Sequence, residues 1–236
     1  MVGFPMHNEC SFRFIKLPII CILAIGANLL VMVFRHLQQH PLFIDTVFTV
    51  AVTFALGLVP GIAVAVLTWI ADGIIGSAWQ PFHPFVLVAI AEVFLVYALR
   101  PADLPLSQVS VFKEQNPAIR DRRLVAIFGV FMRLAMIYIV CAIVASVLGG
   151  VIDFLYHTVW GAQRPYYIGL NAFRMALSQD GVPVILAEIL SRFQVNVIDR
   201  LIVVSGGYIV SRMIIRLVKR CGGVTERLRA RNPETP

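Results

Sequence analysis

Long apolar runs separated by short charged segments are the feature that most constrains this chain. The first run, residues 17–34, contains no charged side chain, and similar runs recur as far as residue 218. A helix of about 20 apolar residues spans the hydrocarbon core of a bilayer. Of the 236 residues, 59% are hydrophobic and 14% are charged, whereas about 25% are charged in a typical soluble domain. The sequence therefore predicts a helical membrane protein without a separate soluble domain.

The apolar runs predict an all-α, polytopic bundle of six transmembrane helices in a single domain, 1–236. Gly57, Gly61 and Ala65 are spaced by four, which lets membrane helices approach closely, and the segment 57–61 is expected to close a helical hairpin. The predicted spans are residues 17–34, 42–58, 60–75, 82–99, 124–154 and 197–218, with a tail over 219–236. Residues 182–196 are short and charged for a crossing, so an interfacial or re-entrant segment is predicted before the last span.

Basic residues are distributed unequally between the two sides of a six-span chain. Fourteen Lys and Arg lie on the side of the N-terminus, the 100–123 loop and the tail from Arg212, against five on the other side, with Arg133 unassigned. Cytoplasmic loops of membrane proteins are enriched in Lys and Arg. Both termini are therefore expected to be cytoplasmic, and the net charge of +7 is interpreted as a topology signal and not as a sign of nucleic-acid binding.

Four short segments carry a resemblance to a known family. They are FIDTVFT at 43–49, GLVPG at 57–61, AVLT at 65–68 and VIDRLI at 197–202, the last followed by a Gly206-Gly207 pair. With these segments the chain resembles the membrane-embedded, substrate-binding S component of energy-coupling factor (ECF) vitamin transporters. It is also similar to the multispan sensor modules fused to some bacterial histidine kinases.

The S-component resemblance implies a six-helix bundle that captures a vitamin or similar small nutrient near its outer face, in the bacterial inner membrane. It also implies two kinds of partner besides membrane lipid, namely a transmembrane coupling subunit and two ATPase subunits that drive release. One feature departs from the family. S components often carry an Ala-x-x-x-Ala docking pattern on the first helix, whereas here Asn28 stands four residues after Ala24.

Two functions remain open at this point. The first is a substrate-binding subunit without enzymatic activity, because the sequence contains no Gly-rich phosphate loop, no HExxH and no GxSxG, and it offers no convincing metal or cofactor site. The alternative is a membrane sensor module that signals to a separate histidine kinase. A fused kinase domain would need more than about 100 residues, whereas sixteen follow Arg220.

Charged residues inside the predicted spans are the first candidates for substrate binding. Glu92 lies near the middle of its span, where an acid costs about 2.5–3.5 kcal/mol to insert and therefore faces the bundle interior. It either contacts a ligand or forms a structural pair with Arg133 or with Ser and Thr hydroxyls. Alternating helix directions place Asp45, Asp72 and Asp199 at outer helix ends, as an acidic ring around an entrance, with Glu92 deeper.

For the remaining candidates, helix capping or core packing is the alternative to substrate binding. Helix capping accounts equally well for Asp45 and Asp199, which lie near helix N-termini, but it does not account for Asp72. Trp69 lies deep in its span, where its ring either stacks on a flat ligand or packs in the core. The predicted substrate-binding residues are Asp45, Trp69, Asp72, Glu92, Asp199 and Arg200.

Overall fold

The predicted all-helical class is confirmed. The computed structural model describes residues 9–38, 44–75, 84–101, 117–161 and 168–231, and side chains within 17–34, 44–75, 84–101, 124–161 and 170–218. These residues form seven α-helices and no strand. The helices are α1 Glu9–Gln38, α2 Val47–Leu56, α3 Leu58–Ile75, α4 Val86–Leu99, α5 Pro117–Asp153, α6 Ile168–Gln179 and α7 Val184–Arg231. A 3-10 turn, Ile44–Thr46, precedes α2, and a π-helix, Phe154–Val159, continues α5.

Four segments of the described helices are long and apolar enough to cross a membrane. They are Leu17–Phe34, Leu58–Ile75, Leu124–Val159 and Val184–Val218. Most residues of these segments are not buried inside the protein, and the exposed ones are largely apolar, such as Leu23 at 67% and Ile74 at 78% exposure. Such surfaces are unfavourable in water and favourable in lipid. The fold is therefore that of a multi-pass membrane protein.

Two finer predictions about the spans are not confirmed. Six crossings are not established, because the shorter apolar helices Ile44–Leu56 and Val86–Leu99 have 13 and 14 residues and rise only about 20 Å, against a hydrocarbon core of about 30 Å. The separate interfacial or re-entrant segment at 182–196 is not observed, because Val184–Arg231 is one uninterrupted helix. The charges that argued against a helical crossing there are paired inside the protein, as described below.

Helices α2 and α3 form a hairpin whose link is the single residue Gly57. Its φ of +100° is a conformation that side chains larger than hydrogen disfavour. Pro60 lies in the first turn of α3, where proline is tolerated, so α3 begins before the Pro60-Gly61 pair. A Cβ at Gly61 would overlap the Thr53 hydroxyl across the hairpin. The small-residue spacing thus serves close packing within this bundle.

Helix α2 occupies the centre of the bundle. Every residue from Thr49 to Phe54 is buried, and α2 packs against α1, α3, α4 and α7. A helix that is apolar on all sides is expected to be fully enclosed. Val50 and Phe54 of α2 belong to the main apolar core, together with Val96, Ile137, Cys141, Val203 and Val204.

Asn28 ties α1 to both arms of the hairpin. Its Nδ2 donates to Thr49 Oγ1 at 2.9 Å and reaches Thr68 Oγ1 at 3.5 Å, and its Oδ1 accepts the N–H of Phe48 at 3.2 Å. That N–H belongs to the first turn of α2, which has no intrahelical acceptor. Asn28 and Ala24 are both buried, so this face of α1 packs against the hairpin.

Helices α5 and α7 approach each other closely at Gly150. A Cβ placed on Gly150 of α5 would lie 2.6 Å from the Cα and 2.8 Å from the backbone nitrogen of Ile189 in α7. Backbone atoms cannot rotate away as a flexible side chain does. The two helices can therefore approach this closely only with glycine at position 150.

We predict that Gly150→Ala destabilises the protein, because overpacking of a tight contact costs about 1–3 kcal/mol. The control is Gly26→Ala on α1, where nothing lies within 4 Å of the added methyl group. The stability of both variants is measured as the melting temperature in detergent. Monodisperse elution on gel filtration shows that each variant is folded before it is compared. Equal melting temperatures for Gly150→Ala and Gly26→Ala would contradict the packing described for α5 and α7.

Candidate functional site

A buried ion pair joins three elements of the bundle. Arg200 of α7 donates from Nη1 to Glu92 Oε2 of α4 at 2.6 Å and to Thr46 Oγ1 of the 3-10 turn at 3.2 Å. All three residues are at most 6% exposed. The alternative partner for Glu92 is engaged elsewhere, because Arg133 is exposed and donates to the carbonyl oxygen of Arg100.

Two more carboxylates are buried beside this pair. Asp45 is 3% exposed and Asp199 is fully buried, and both attract the guanidinium of Arg200. We call these four residues, Asp45, Glu92, Asp199 and Arg200, the charge cluster. The prediction of an outer ring of Asp45, Asp72 and Asp199 assumed that Asp199 lies near a helix N-terminus, whereas Asp199 lies well inside α7, Val184–Arg231.

The other two predicted residues lie outside the charge cluster. Asp72 is half-buried, three residues before the end of α3, and no hydrogen bond or ion pair among the described residues joins it to the cluster. Trp69 packs against Ala65, Ala89 and Val93, at the contact between α3 and α4. The observed contacts of Trp69 therefore match the core-packing alternative.

On the N-terminal side of the charge cluster, α7 carries a polar residue at every turn of its buried face. Glu188, Arg192, Asn196 and Arg200 are spaced by four, and all are at most 7% exposed. We call them the polar ladder. Since helices rise about 1.5 Å per residue, the ladder extends over about 18 Å.

Each step of the ladder has a partner on a neighbouring helix. Glu188 Oε1 accepts from Arg174 Nη1 of α6 at 3.2 Å, and Asn196 Nδ2 donates to Ser146 Oγ of α5 at 3.0 Å. Arg192 binds Asp153 at the end of α5 through two parallel hydrogen bonds of 2.6 and 2.9 Å. Each buried charge is thus compensated, which explains why residues 182–196 are helical and continuous with the rest of α7.

The Arg192–Asp153 pair lies where α4, α5 and α7 meet. The guanidinium carbon of Arg192 is 4.6 Å from the ring centroid of Phe85, which precedes α4. His157 Nε2, on the π-helix, is 3.7 Å from Asp153 Oδ1. The guanidinium of Arg192 therefore links α7 to the end of α5 by an ion pair and to the start of α4 by a cation–π contact.

Sequence reasoning missed Arg192, Asp153 and Asn196 as site residues. The four-residue spacing of Glu188, Arg192, Asn196 and Arg200 was a usable signal, because it places all four on one helix face. The signal is lost when 182–196 is separated from the last span. Asp153 could not be assigned because the end of its long helix was uncertain from composition.

The charge cluster lies at the border between a polar half and an apolar half of the bundle. Beyond Arg200, α7 buries Val203 and Val204, which join the main apolar core. On α5, Cys141 belongs to the same core. The arrangement places carboxylate acceptors and a guanidinium donor at the base of the polar half.

The chain was compared with protein-family models, with curated proteins and with solved structures, and none of the three comparisons finds a match.

We predict that Arg200→Met strongly destabilises the protein, because removing one partner of a buried pair leaves an uncompensated charge and costs about 3–5 kcal/mol. The double variant Arg200→Met, Glu92→Met should recover part of that loss. Arg133→Met, which removes one exposed hydrogen bond, serves as the control and should change stability by less than about 0.5 kcal/mol. The single variant Glu92→Met completes the comparison. If the double variant loses as much stability as Arg200→Met and Glu92→Met lose together, the two residues do not interact, which would argue against the Glu92–Arg200 pair.

Proposed function

We propose that this chain is the substrate-binding membrane subunit of an ECF-type ABC transporter, which captures a vitamin or similar small nutrient in the bacterial inner membrane. The observation that supports this proposal is the charge cluster. Ionisable groups inside a membrane bundle are expensive and mark binding sites or ion pathways. Two of the segments that carry the family resemblance, 43–49 and 197–202, contribute Asp45, Asp199 and Arg200 to this cluster.

The position of the polar half indicates from which side of the membrane the nutrient is captured. It is formed where α4 begins, α5 ends and α7 begins, and the basic 100–123 loop and the C-terminal tail belong to the opposite ends of these helices. If the basic end is cytoplasmic, the polar half faces the outside. Three of the five basic residues assigned to the outer side, Arg174, Arg192 and Arg200, form ion pairs within the bundle, so they do not oppose this orientation.

Uptake driven by ATP requires other chains in this proposal. The sequence carries no phosphate-binding loop, so a transmembrane coupling subunit and two ATPase subunits supply the energy. The nutrient binds at the base of the polar half, next to the charge cluster. ATP binding by the partners then reorients the bundle and exposes the site to the cytoplasm.

We expect a small organic molecule to remain bound when the protein is purified in mild detergent, because the residues of the charge cluster are buried. Mass spectrometry of the extracted small molecules identifies it, and a Glu92→Gln variant purified in parallel is the control. A molecule retained by the wild type and lost from Glu92→Gln supports binding at the cluster.

Transport and sensing are separated by an uptake assay with the identified molecule. Cells that express this chain alone should bind it without concentrating it, and cells that also supply a coupling subunit and ATPases should concentrate it. Concentration by a strain without any coupling subunit would refute the ECF proposal. Binding that changes the phosphorylation of a separate histidine kinase, without uptake, would favour the sensor alternative.

We also expect both termini to be cytoplasmic. A reporter that fluoresces only in the cytoplasm, fused after Pro236, should be bright at normal expression, and an alkaline phosphatase fused at the same position should be inactive. The opposite pair of results would reverse the orientation and make the polar half face the cytoplasm.

A further inference from the structure

We infer that Arg100, at the end of α4, and Arg133, on α5, form a binding site for the phosphate of an anionic phospholipid. We call these two residues the arginine site. The inference does not depend on the proposed transport function, because it concerns the lipid-facing surface of the bundle and not the charge cluster.

The two arginines come together at one end of the bundle. Arg133 donates from Nη1 to the carbonyl oxygen of Arg100 at 3.3 Å. The guanidinium carbon of Arg100 lies 4.5 Å from the ring centroid of Tyr97, one turn earlier on α4. Both arginines are exposed. Two helices therefore present positive charge at the same place on the protein surface.

The arginine site differs from the arginines inside the bundle in its partners. Arg174, Arg192 and Arg200 each bind a carboxylate. Neither residue of the arginine site forms an ion pair with a carboxylate that the structure describes, and the contacts described for them are the carbonyl bond and the aromatic ring. Both guanidiniums can therefore bind an anion from outside the described protein.

The position of Arg133 along α5 places the arginine site at a membrane boundary. The apolar segment Leu124–Val159 has 36 residues and rises about 54 Å, so part of it lies outside a hydrocarbon core of about 30 Å. Arg133 and Asp153 are 20 residues apart, a rise of about 30 Å. With the polar Asp153 at one boundary, Arg133 lies at the other, together with the end of α4.

A phosphate is the anion that suits this position. A charged side chain beside hydrocarbon is stable only when its head reaches polar groups, and the phosphates of the lipids are the polar groups at this depth. The planar fork of a guanidinium matches two phosphate oxygens, and the interaction is charge-assisted. Basic residues between helix ends at the membrane surface are a known way to bind anionic headgroups.

Exposed apolar side chains beside the arginine site favour a phospholipid over a free phosphate ion. On α4, Phe94 is 50% exposed and Tyr97 is 37% exposed, and on α5, Met136 is 43% exposed and Ile139 is 52% exposed. These residues lie towards the middle of the bundle from Arg100 and Arg133. The acyl chains of a lipid bound through its phosphate would cover them, whereas a free ion would contact the arginines alone.

The experiment measures the melting temperature of the purified protein in mixed micelles of a non-ionic detergent and one lipid. Phosphatidylglycerol is the probe, and phosphatidylcholine at the same mole fraction controls for the acyl chains. At a mole fraction about ten times that of half-saturation, phosphatidylglycerol should raise the melting temperature by about 3–6 °C above the value in phosphatidylcholine. The difference should shrink as sodium chloride is raised from about 0.05 to 0.5 M, because salt screens exposed charges.

Matched variants test whether the effect belongs to the arginine site. The double variant Arg100→Gln, Arg133→Gln should need about ten- to hundred-fold more phosphatidylglycerol for the same shift. Arg216→Gln removes an exposed positive charge from α7 at the same end of the bundle and should respond as the wild type does. If the double variant does not fold, the single variant Arg133→Gln still tests the site, since it removes only one exposed hydrogen bond.

Four outcomes would overturn the inference. Equal stabilisation by phosphatidylcholine would mean that the acyl chains act without the phosphate. Equal stabilisation by inorganic phosphate in lipid-free detergent would assign the arginine site to a free anion. An equal loss of response in Arg216→Gln would mean that the basic end attracts anionic lipid without a defined site. No stabilisation by any of these additives would leave both arginines as topology signals alone.

Discussion

A guanidinium ion enclosed among carboxylates sets the positions of the helices around it. Lipid provides no hydrophobic drive for helices to associate, so their rotation and register depend on close packing and on directional polar contacts. Arg200 supplies such contacts to Glu92 on α4 and to Thr46 before α2. Rotating α7 or shifting it by one residue would leave these groups buried without their partners. The register of three elements therefore depends on one side chain.

Along α7, each successive turn also carries a buried polar side chain that has a partner on a neighbouring helix. Glu188, Arg192 and Asn196 each bind a residue of α5 or α6, and Gly150 lets the backbone of α5 approach close enough for these bonds to form. On the other side of the charge cluster, packing of apolar side chains replaces hydrogen bonding. The bundle thus combines a specified polar half with an apolar core that holds it together.

The sequence was sufficient for the helical class and for naming Asp45, Glu92, Asp199 and Arg200 as special residues, because charged side chains in apolar runs are easily recognised. It grouped Asp45 and Asp199 in an outer ring and placed Glu92 deeper, and it did not reveal that Arg200 pairs with Glu92, since that contact depends on how each helix is rotated. Composition also led to the prediction of a separate segment at 182–196, which is instead part of α7. Charges at 188 and 192 count against a membrane helix only when their partners, Arg174 and Asp153, are unknown.

The one-residue link between α2 and α3 has a mechanical consequence. Only Gly57 lies between the two helices, so any tilt of α2 about Gly57 would displace Thr46 at the other end of α2. Because α2 is about 15 Å long, a tilt of about 10° would move Thr46 by nearly 3 Å. The 3.2 Å bond from Arg200 to Thr46 would not survive such a movement, since hydrogen bonds weaken steeply beyond their usual range. The angle of the hairpin and the hydrogen bonding of the guanidinium therefore change together, and either one reports the state of the other.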